Sequence, residues 1–327
     1  MGMATRAGNT SFAVIAIVTT LLVFVFLHHK RAMSKQRGLV PRLPPGPGTL
    51  PVIGNLHQVI WHKPEVSRWI HRLLEEMGTG IMCLRLGPVH VMATACPEIA
   101  REVLQKKDAA FASRPATFSS SLASFGYKGA ILSPHGHQWR KMRRVLTSEI
   151  LAPSMEHHLH HLREAVCDHL VGWVYHTSCR GNRLVDVRHV AQHFCGDMVR
   201  SLAFGKRYFG EPPASTTGGP REDEVAHVGA LFTLIHTIYG FWVSDYFPKL
   251  VGLDLDGHEK VVKGAMRTLN RLHDPIIEER MREWSTLREG GGRNREARDS
   301  LDVLVSLEDA QGEPLLSLDE IKARHWK

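Results

Sequence analysis

From Glu65 to Met77 the chain places Val66, Trp69, Ile70, Leu73 and Leu74 at helical spacing, and Gly78 follows as a stop signal. Ile81–Leu86 and Val89–Thr94 then read as two short strands around Gly87-Pro88, a hairpin pattern. Pro97 opens a further helix to about Lys107. Residues 111–135 are rich in Ser, Gly and Pro and show no period, so a long loop is expected there. A basic helix begins near His137. More helical segments are expected at about 154–176, 188–204, 224–243, 257–286 and 299–309. Gly210–Gly219 and Arg288–Arg298 read as polar, Gly-rich breaks. Ser317-Leu318-Asp319-Glu320 is a capping box, Ser as N-cap and Glu three residues on, and it announces one more helix. The pattern predicts a mainly α protein with a small β-sheet (α+β).

One stretch departs from this periodicity. Phe12 to Leu27 is an unbroken apolar run apart from Thr19 and Thr20. At 16 residues it is slightly shorter than a usual membrane span of about 20. One Arg precedes it, while His28-His29-Lys30-Arg31 and further cations follow. That order suits a signal anchor with the body on the cytosolic side, not a cleaved signal peptide. Pro41-Arg42-Leu43-Pro44-Pro45-Gly46-Pro47-Gly48 cannot continue a helix, because proline fixes φ and removes the amide donor. The expected organisation is an anchor with its basic flank over 1–38, a proline-rich hinge over 39–50 and a body over 51–327.

Charge changes the picture only briefly. The chain of 327 residues has a formal net charge of +8. Six cations and no acid lie in residues 1–45, so the body is only +2. A basic footprint for nucleic acid is therefore not expected. Apolar residues make up 43% of the chain, which excludes an intrinsically disordered protein. Five cysteines (Cys83, Cys96, Cys167, Cys179, Cys195) with no C-x-x-C pair read as free thiols in a reducing compartment.

Several chemistries drop out on inspection. No G-x-S-x-G elbow and no phosphate-binding G-x-x-x-x-G-K-[ST] loop occurs. His258-Glu259 starts like a zinc-protease motif, but Val262 stands where the second His belongs. Asp254 and Asp256 precede Gly257 without the remaining ligands of a calcium loop. His157, His158, His160 and His161 form a cluster in which His157 and His161 are four apart. No carboxylate or thiol completes a metal site there, so a solvated helix face is expected.

Trp139-Arg140-Lys141-Met142-Arg143-Arg144 is more suggestive. On a helix Trp139 and Arg143 share a face. An indole N–H and a planar guanidinium together make a donor pair for an anionic group. The same pattern also suits a solvated basic helix with one core Trp.

The order of features resembles the N-terminal part of a microsomal cytochrome P450, a haem-thiolate monooxygenase. The resemblance rests on the anchor, the Pro-Pro-Gly-Pro hinge, Pro51-Val52-Ile53-Gly54-Asn55-Leu56, Phe111-Ala112-Ser113-Arg114-Pro115 and the Trp139/Arg143 pair. It covers residues 12–323. Further segments are similar to the plant amino-acid N-monooxygenases, which convert an amino acid to its aldoxime for cyanogenic glucoside or glucosinolate synthesis. These are Leu146–Ile150, Asp186–Val190, Arg207–Pro212, Val243–Tyr246 and Gly252–Lys260. The tyrosine N-monooxygenase branch is the nearest.

The resemblance implies a P450 fold behind a membrane-anchor helix at the endoplasmic reticulum. It implies haem, dioxygen, an amino-acid substrate such as tyrosine, and electrons from NADPH–cytochrome P450 reductase. It gives Trp139 and Arg143 the role of donors to the haem propionates. It makes Phe118, Phe125, Phe232 and His236 candidates for the substrate walls. The family's Glu-x-x-Arg pair and its Phe-x-x-Gly-x-Arg-x-Cys-x-Gly haem loop do not occur here, and the match fades after Ala323. No axial cysteine is assigned, so these residues are expected to be a truncated P450 fold without catalysis of their own. The alternative expectation is a non-catalytic membrane-tethered protein that interacts with a full-length relative or its reductase.

Overall fold

The structure, a computed structural model, describes residues 43–180, 184–205, 220–238, 240–290 and 296–325. The apolar run 12–27, the basic flank, the break at 210–219 and residues 291–295 of the break at 288–298 lie outside the described residues. Among the described residues no helix is long and apolar enough to cross a membrane. Two compact units divide between Phe111 and Ala112.

The first unit holds α1 (Leu56–Trp61), α2 (Val66–Glu76), β1 (Ile81–Leu86), β2 (Val89–Thr94), α3 (Pro97–Arg101) and α4 (Asp108–Phe111). The hairpin pairs Ile81 with Thr94 through Leu86 with Val89. Gly87 makes its tight turn at φ +59°, a region that a side chain resists. Met82, Leu84 and Leu86 of β1 are buried, as are Val66, Trp69 and Leu74 of α2. The helix foreseen from Pro97 to Lys107 changes register instead. It leaves the α form at Arg101 and continues as a π-type turn over Glu102–Lys106.

The proline-rich hinge is docked where it is described. The Cys83 amide donates to the Pro45 carbonyl at 2.8 Å. A Cβ on Gly46 would meet the Cys83 carbonyl oxygen at 2.0 Å, so only glycine fits. Asn55 is fully buried. Its Oδ1 accepts from the Arg85 amide at 2.9 Å, and its Nδ2 donates to the Gly48 carbonyl at 3.0 Å. One side chain thereby ties the proline-rich strand to β1.

The second unit is helical. Its elements are α5 (Phe118–Ala123), α6 (His137–Val145), α7 (Pro153–His158), α8 (His160–Tyr175), α9 (Val187–Phe204), α10 (Glu222–Ile238), α11 (Val243–Tyr246), α12 (His258–Glu289), α13 (Ser300–Ser306) and α14 (Leu318–His325). α12 has 32 residues, about 48 Å at 1.5 Å per residue, and α5, α10, α13 and α14 pack against it. One apolar core joins Met142, Val145, Phe204, Ile277, Leu301, Leu304 and Ile321. A second joins Ala123, Leu132, Leu234, Val262, Met266 and Leu269.

Three expectations need correction here. The loop at 111–135 contains α5, because Thr117 caps it: the Thr117 Oγ accepts from the Ser120 amide. The helix foreseen over 224–243 ends at Ile238, and Trp242 in extended conformation starts α11. His157 and His161 do not share a helix, because the chain breaks at Leu159 between α7 and α8 (φ −89°, ψ 10°). Among the described residues no group of three His, Cys, Asp or Glu could hold a metal ion.

Candidate functional site

The donor pair is built on α6. Its core face carries Met142 and Val145, both buried. The same side carries Gln138 and Lys141, which both reach Glu320 of α14. Lys141 Nζ lies 2.8 and 3.0 Å from the two Glu320 oxygens, and Gln138 Nε2 donates to Oε1 at 2.8 Å. Glu320 also accepts from the Ser317 amide at 2.8 Å, while its own amide donates to the Ser317 hydroxyl. That is the reciprocal capping box foreseen in the sequence. Burial would raise the Glu320 carboxyl, but Lys141, Ser317 and Gln138 together hold it below the ordinary carboxylate range.

With its core face fixed, α6 turns the pair outward. Trp139 is half-buried with its ring 5.2 Å from that of His135, and Arg143 is exposed. Among the described residues neither the indole N–H nor the guanidinium has a hydrogen-bond or ion-pair partner. Two unpaired donors one helical turn apart, on a helix anchored by its opposite side, fit a pair of carboxylates. Haem propionates are such a pair. The five cysteines are free thiols spread over both units, with Cys83 buried in β1, Cys96 half-buried and Cys167, Cys179 and Cys195 exposed.

The four substrate-wall candidates do not converge. Phe125 lines a groove of 810 Å³ between the α5 end and α12, with Leu122, Lys263, Met266 and Arg267. Phe118 lies beside it, its ring 5.6 Å from the Lys263 ammonium. Phe232 is half-buried on α10. His236 is exposed and donates through Nδ1 to the Phe232 carbonyl at 3.0 Å. Neither α10 residue lines the groove.

Three buried polar clusters escape the periodicity of the sequence. Ser119, Asp245 and His258 meet at hydrogen-bond distance: Ser119 Oγ is 2.8 Å from Asp245 Oδ1 and 2.5 Å from His258 Nε2. The composition is that of an acyl-transfer triad, but the hydroxyl stands between acid and imidazole. A nucleophile needs the imidazole in the middle. The trio instead clasps α5, α11 and α12 together. Asp245 and His258 fall within the family-like segments quoted above, the one signal that marked them.

In the second cluster Arg200 of α9 donates to His227 Nδ1 at 2.8 Å and to Glu224 Oε1 at 2.5 Å. His227 Nε2 lies 2.8 Å from His273 Nε2. Because arginine only donates, His227 accepts at Nδ1 and carries its proton at Nε2, toward His273. Burial, then the neighbouring His273 and Arg200, push His227 down to about 2; burial and Arg200 push His273 down to about 3. Both rings are neutral spacers at neutral pH. In the third cluster Arg280 reaches Asp299 at 2.9 Å and Asp302 at 2.6 Å, and Trp284 Nε1 donates to Asp302 at 2.8 Å. The third cluster fixes α13 on α12. The first two supply no free reactive group to the surface. The acids of the rejected calcium-like run likewise serve the backbone: Asp254 accepts from the Glu259 amide and Asp256 from the Val243 amide, each at 2.8 Å.

Tyrosine N-monooxygenase of Sorghum bicolor is 53% identical over 287 residues, which are 87% of this chain and 50% of that protein. Tryptophan N-monooxygenase 1 of Arabidopsis thaliana is 39% identical over 322 residues, 97% of this chain and 58% of that protein. Valine N-monooxygenase 2 of Manihot esculenta is 42% identical over 308 residues, 94% of this chain and 54% of that protein. The chain thus spans about half the length of these relatives. Residues 44–327 match the cytochrome P450 family. With that match, a mainly helical body and a small hairpin, the chain belongs to the cytochrome P450 family.

Proposed function

We propose that this sequence belongs to a haem-thiolate monooxygenase that N-hydroxylates an amino acid, tyrosine or a similar one, on the way to its aldoxime. The observation that carries the proposal is the 53% identity to a tyrosine N-monooxygenase over 287 residues. Trp139 and Arg143 hold the haem through its propionates, and the fit lies in their unpaired donors on α6. When bound, haem supplies the oxygen-activating chemistry of the family. The residues of this chain orient it: Lys141 and Gln138 fix α6 on Glu320, and that sets the direction in which Trp139 and Arg143 point. The 16-residue apolar run anchors the protein in the endoplasmic reticulum membrane, with the body in the cytosol facing NADPH–cytochrome P450 reductase.

The 327 residues contain no Cys-bearing haem loop, and we propose that they do not catalyse the reaction unaided. Two preparations test this together. The full-length product of the native transcript, supplied with reductase, NADPH and L-tyrosine, is expected to release the aldoxime. The 327 residues alone are expected to give no thiolate-type Soret band when reduced under CO. An intact Soret band in the full-length protein without turnover of any amino acid overturns the substrate proposal. A thiolate band from the 327 residues overturns the second.

A further inference from the structure

The groove between α5 and α12 has an apolar floor and a cationic wall. Leu122, Phe125 and Met266 supply the floor. Lys260, Lys263, Arg267 and Asn270 follow one another along a single face of α12, at i, i+3, i+7 and i+10.

The two acids that line the groove are already engaged. Asp254 accepts from the amides of Glu259 at 2.8 Å and Lys260 at 3.2 Å. Glu259 accepts from the Gly252 amide at 2.7 Å and pairs with Lys263 at 2.9 Å. Two cations are left over. Among the described residues Lys260 Nζ has no partner, and the Arg267 guanidinium bonds only through Nε, to the Lys263 carbonyl at 3.3 Å. One turn further on, Asn270 Oδ1 is buried with no hydrogen-bond partner. That oxygen, on a residue that lines the groove, is an acceptor left without a donor.

The stretch that carries Phe125 is held in shape. Phe125, Gly126 and Tyr127 have φ of +51°, +76° and +66°, a run of three residues in the left-handed region. For Phe and Tyr this conformation is strained and persists only where the surroundings impose it. Here the Tyr127 hydroxyl donates to the Thr117 carbonyl at 2.8 Å, and its amide donates to Ser124 Oγ at 2.9 Å. Phe125 is thereby kept at the groove.

We propose that this groove is a recognition site for a free zwitterionic α-amino acid with an apolar or aromatic side chain. The carboxylate meets the Arg267 fork with Lys260 beside it, the α-ammonium meets Asn270, and the side chain lies on Leu122, Phe125 and Met266. Among the sequence-derived candidates only Phe125 belongs to it; Lys260, Arg267 and Asn270 are specificity residues that periodicity did not mark. The inference rests on the amino-acid N-monooxygenase proposal and adds a direction to it. An aldoxime carries neither charge of the amino acid, so the groove takes substrate and releases product.

The test uses the haem-loaded full-length enzyme and three probes: L-tyrosine, tyramine and 3-(4-hydroxyphenyl)propanoate. Tyramine lacks the carboxylate, and the propanoate lacks the ammonium. Binding is read by titration calorimetry and turnover by KM against kcat. Arg267→Gln is expected to raise both Kd and KM for L-tyrosine about tenfold, leave kcat unchanged and leave tyramine binding unchanged. Arg267→Lys is expected to restore most of the affinity. Asn270→Leu is expected to weaken L-tyrosine but not the propanoate. Arg267 is exposed, and an unchanged unfolding midpoint for its variants checks that the fold is intact. L-tyrosine binding equally well to Arg267→Gln and the parent overturns the groove assignment, and so does an equal loss for tyramine. Turnover of L-tyrosine alongside either result leaves the functional proposal standing; a parent that binds and converts no amino acid overturns both.

Discussion

Arg143 and Asp197 show how differently two charged side chains can be used. Arg143 is exposed and has no partner among the described residues, so nothing in the described fold depends on its guanidinium. Arg143→Ala is expected to change the unfolding free energy of these residues by less than about 0.5 kcal/mol. In the full-length enzyme the same change is expected to weaken haem retention by about 1.5–3 kcal/mol, the worth of a charge-assisted contact. Haem transfer to apomyoglobin checks the second value. Haem content equal to the parent's would remove the propionate role.

Asp197 is the opposite case, with 2% of its surface exposed beside Arg200 and His169. Burial raises its carboxyl to about 6, against the pull of Arg200 and with the push of Glu224. A carboxyl raised in the folded state binds its proton more tightly there than in the unfolded chain. This group therefore lowers stability as pH rises from about 4 through about 6, and its burden is complete at pH 7. Asp197→Asn is expected to stabilise the fold by about 1–3 kcal/mol at pH 7, with the gain shrinking towards pH 4. Urea unfolding at the two pH values measures the difference; a gain that is the same at both contradicts the assignment.

Among the elements, the capping box starts α14 and ties it to α6. Ser317→Ala is expected to destabilise by about 0.5–2 kcal/mol through loss of the cap. Glu320→Gln is expected to cost about 1–3 kcal/mol at pH 7, because it uncharges the partner of Lys141. Its carboxyl is held low, so that contribution is present above the ordinary carboxylate range and is lost as pH falls through the depressed value. Thermal unfolding of the Gln variant and the parent is therefore expected to converge in acid.

The capping box was legible because it is local: Ser317 and Glu320 satisfy each other across three residues. The hairpin was legible for the same reason, two β-type runs around Gly87-Pro88. α5 was not, since half of its six residues are serines and its start depends on a single threonine cap. The break at Leu159 was missed because His157 to His161 gives no Gly or Pro signal. In the candidate site, the spacing of Trp139 and Arg143 could be read directly. Lys260, Arg267 and Asn270 could not, because only folding shows that Asp254 and Glu259 are already taken.

At the scale of the whole molecule, distant segments are joined by buried polar groups as well as by apolar packing. Ser119 of α5 meets Asp245 and His258, 126 and 139 residues away. Arg200 joins α9 to Glu224 and His227 of α10, and His227 passes the connection to His273 of α12. Arg280 joins α12 to Asp299 and Asp302 at the start of α13. Such groups are stable only when all their partners are in place, and they penalise alternative packings in which one is missing. A two-helix core of leucines would tolerate sliding; a core threaded by Arg200 and Arg280 does not.

The contact between α6 and α14 also sets a timetable. Lys141 and Gln138 lie 179 and 182 residues before Glu320. At 5–20 residues per second a ribosome needs roughly 10–40 s to make the intervening chain. Until then α6 lacks the carboxylate that fixes its inner side, and the outward aim of Trp139 and Arg143 is unset. The proposed grip of Trp139 and Arg143 on haem is therefore unoriented until synthesis has passed Glu320.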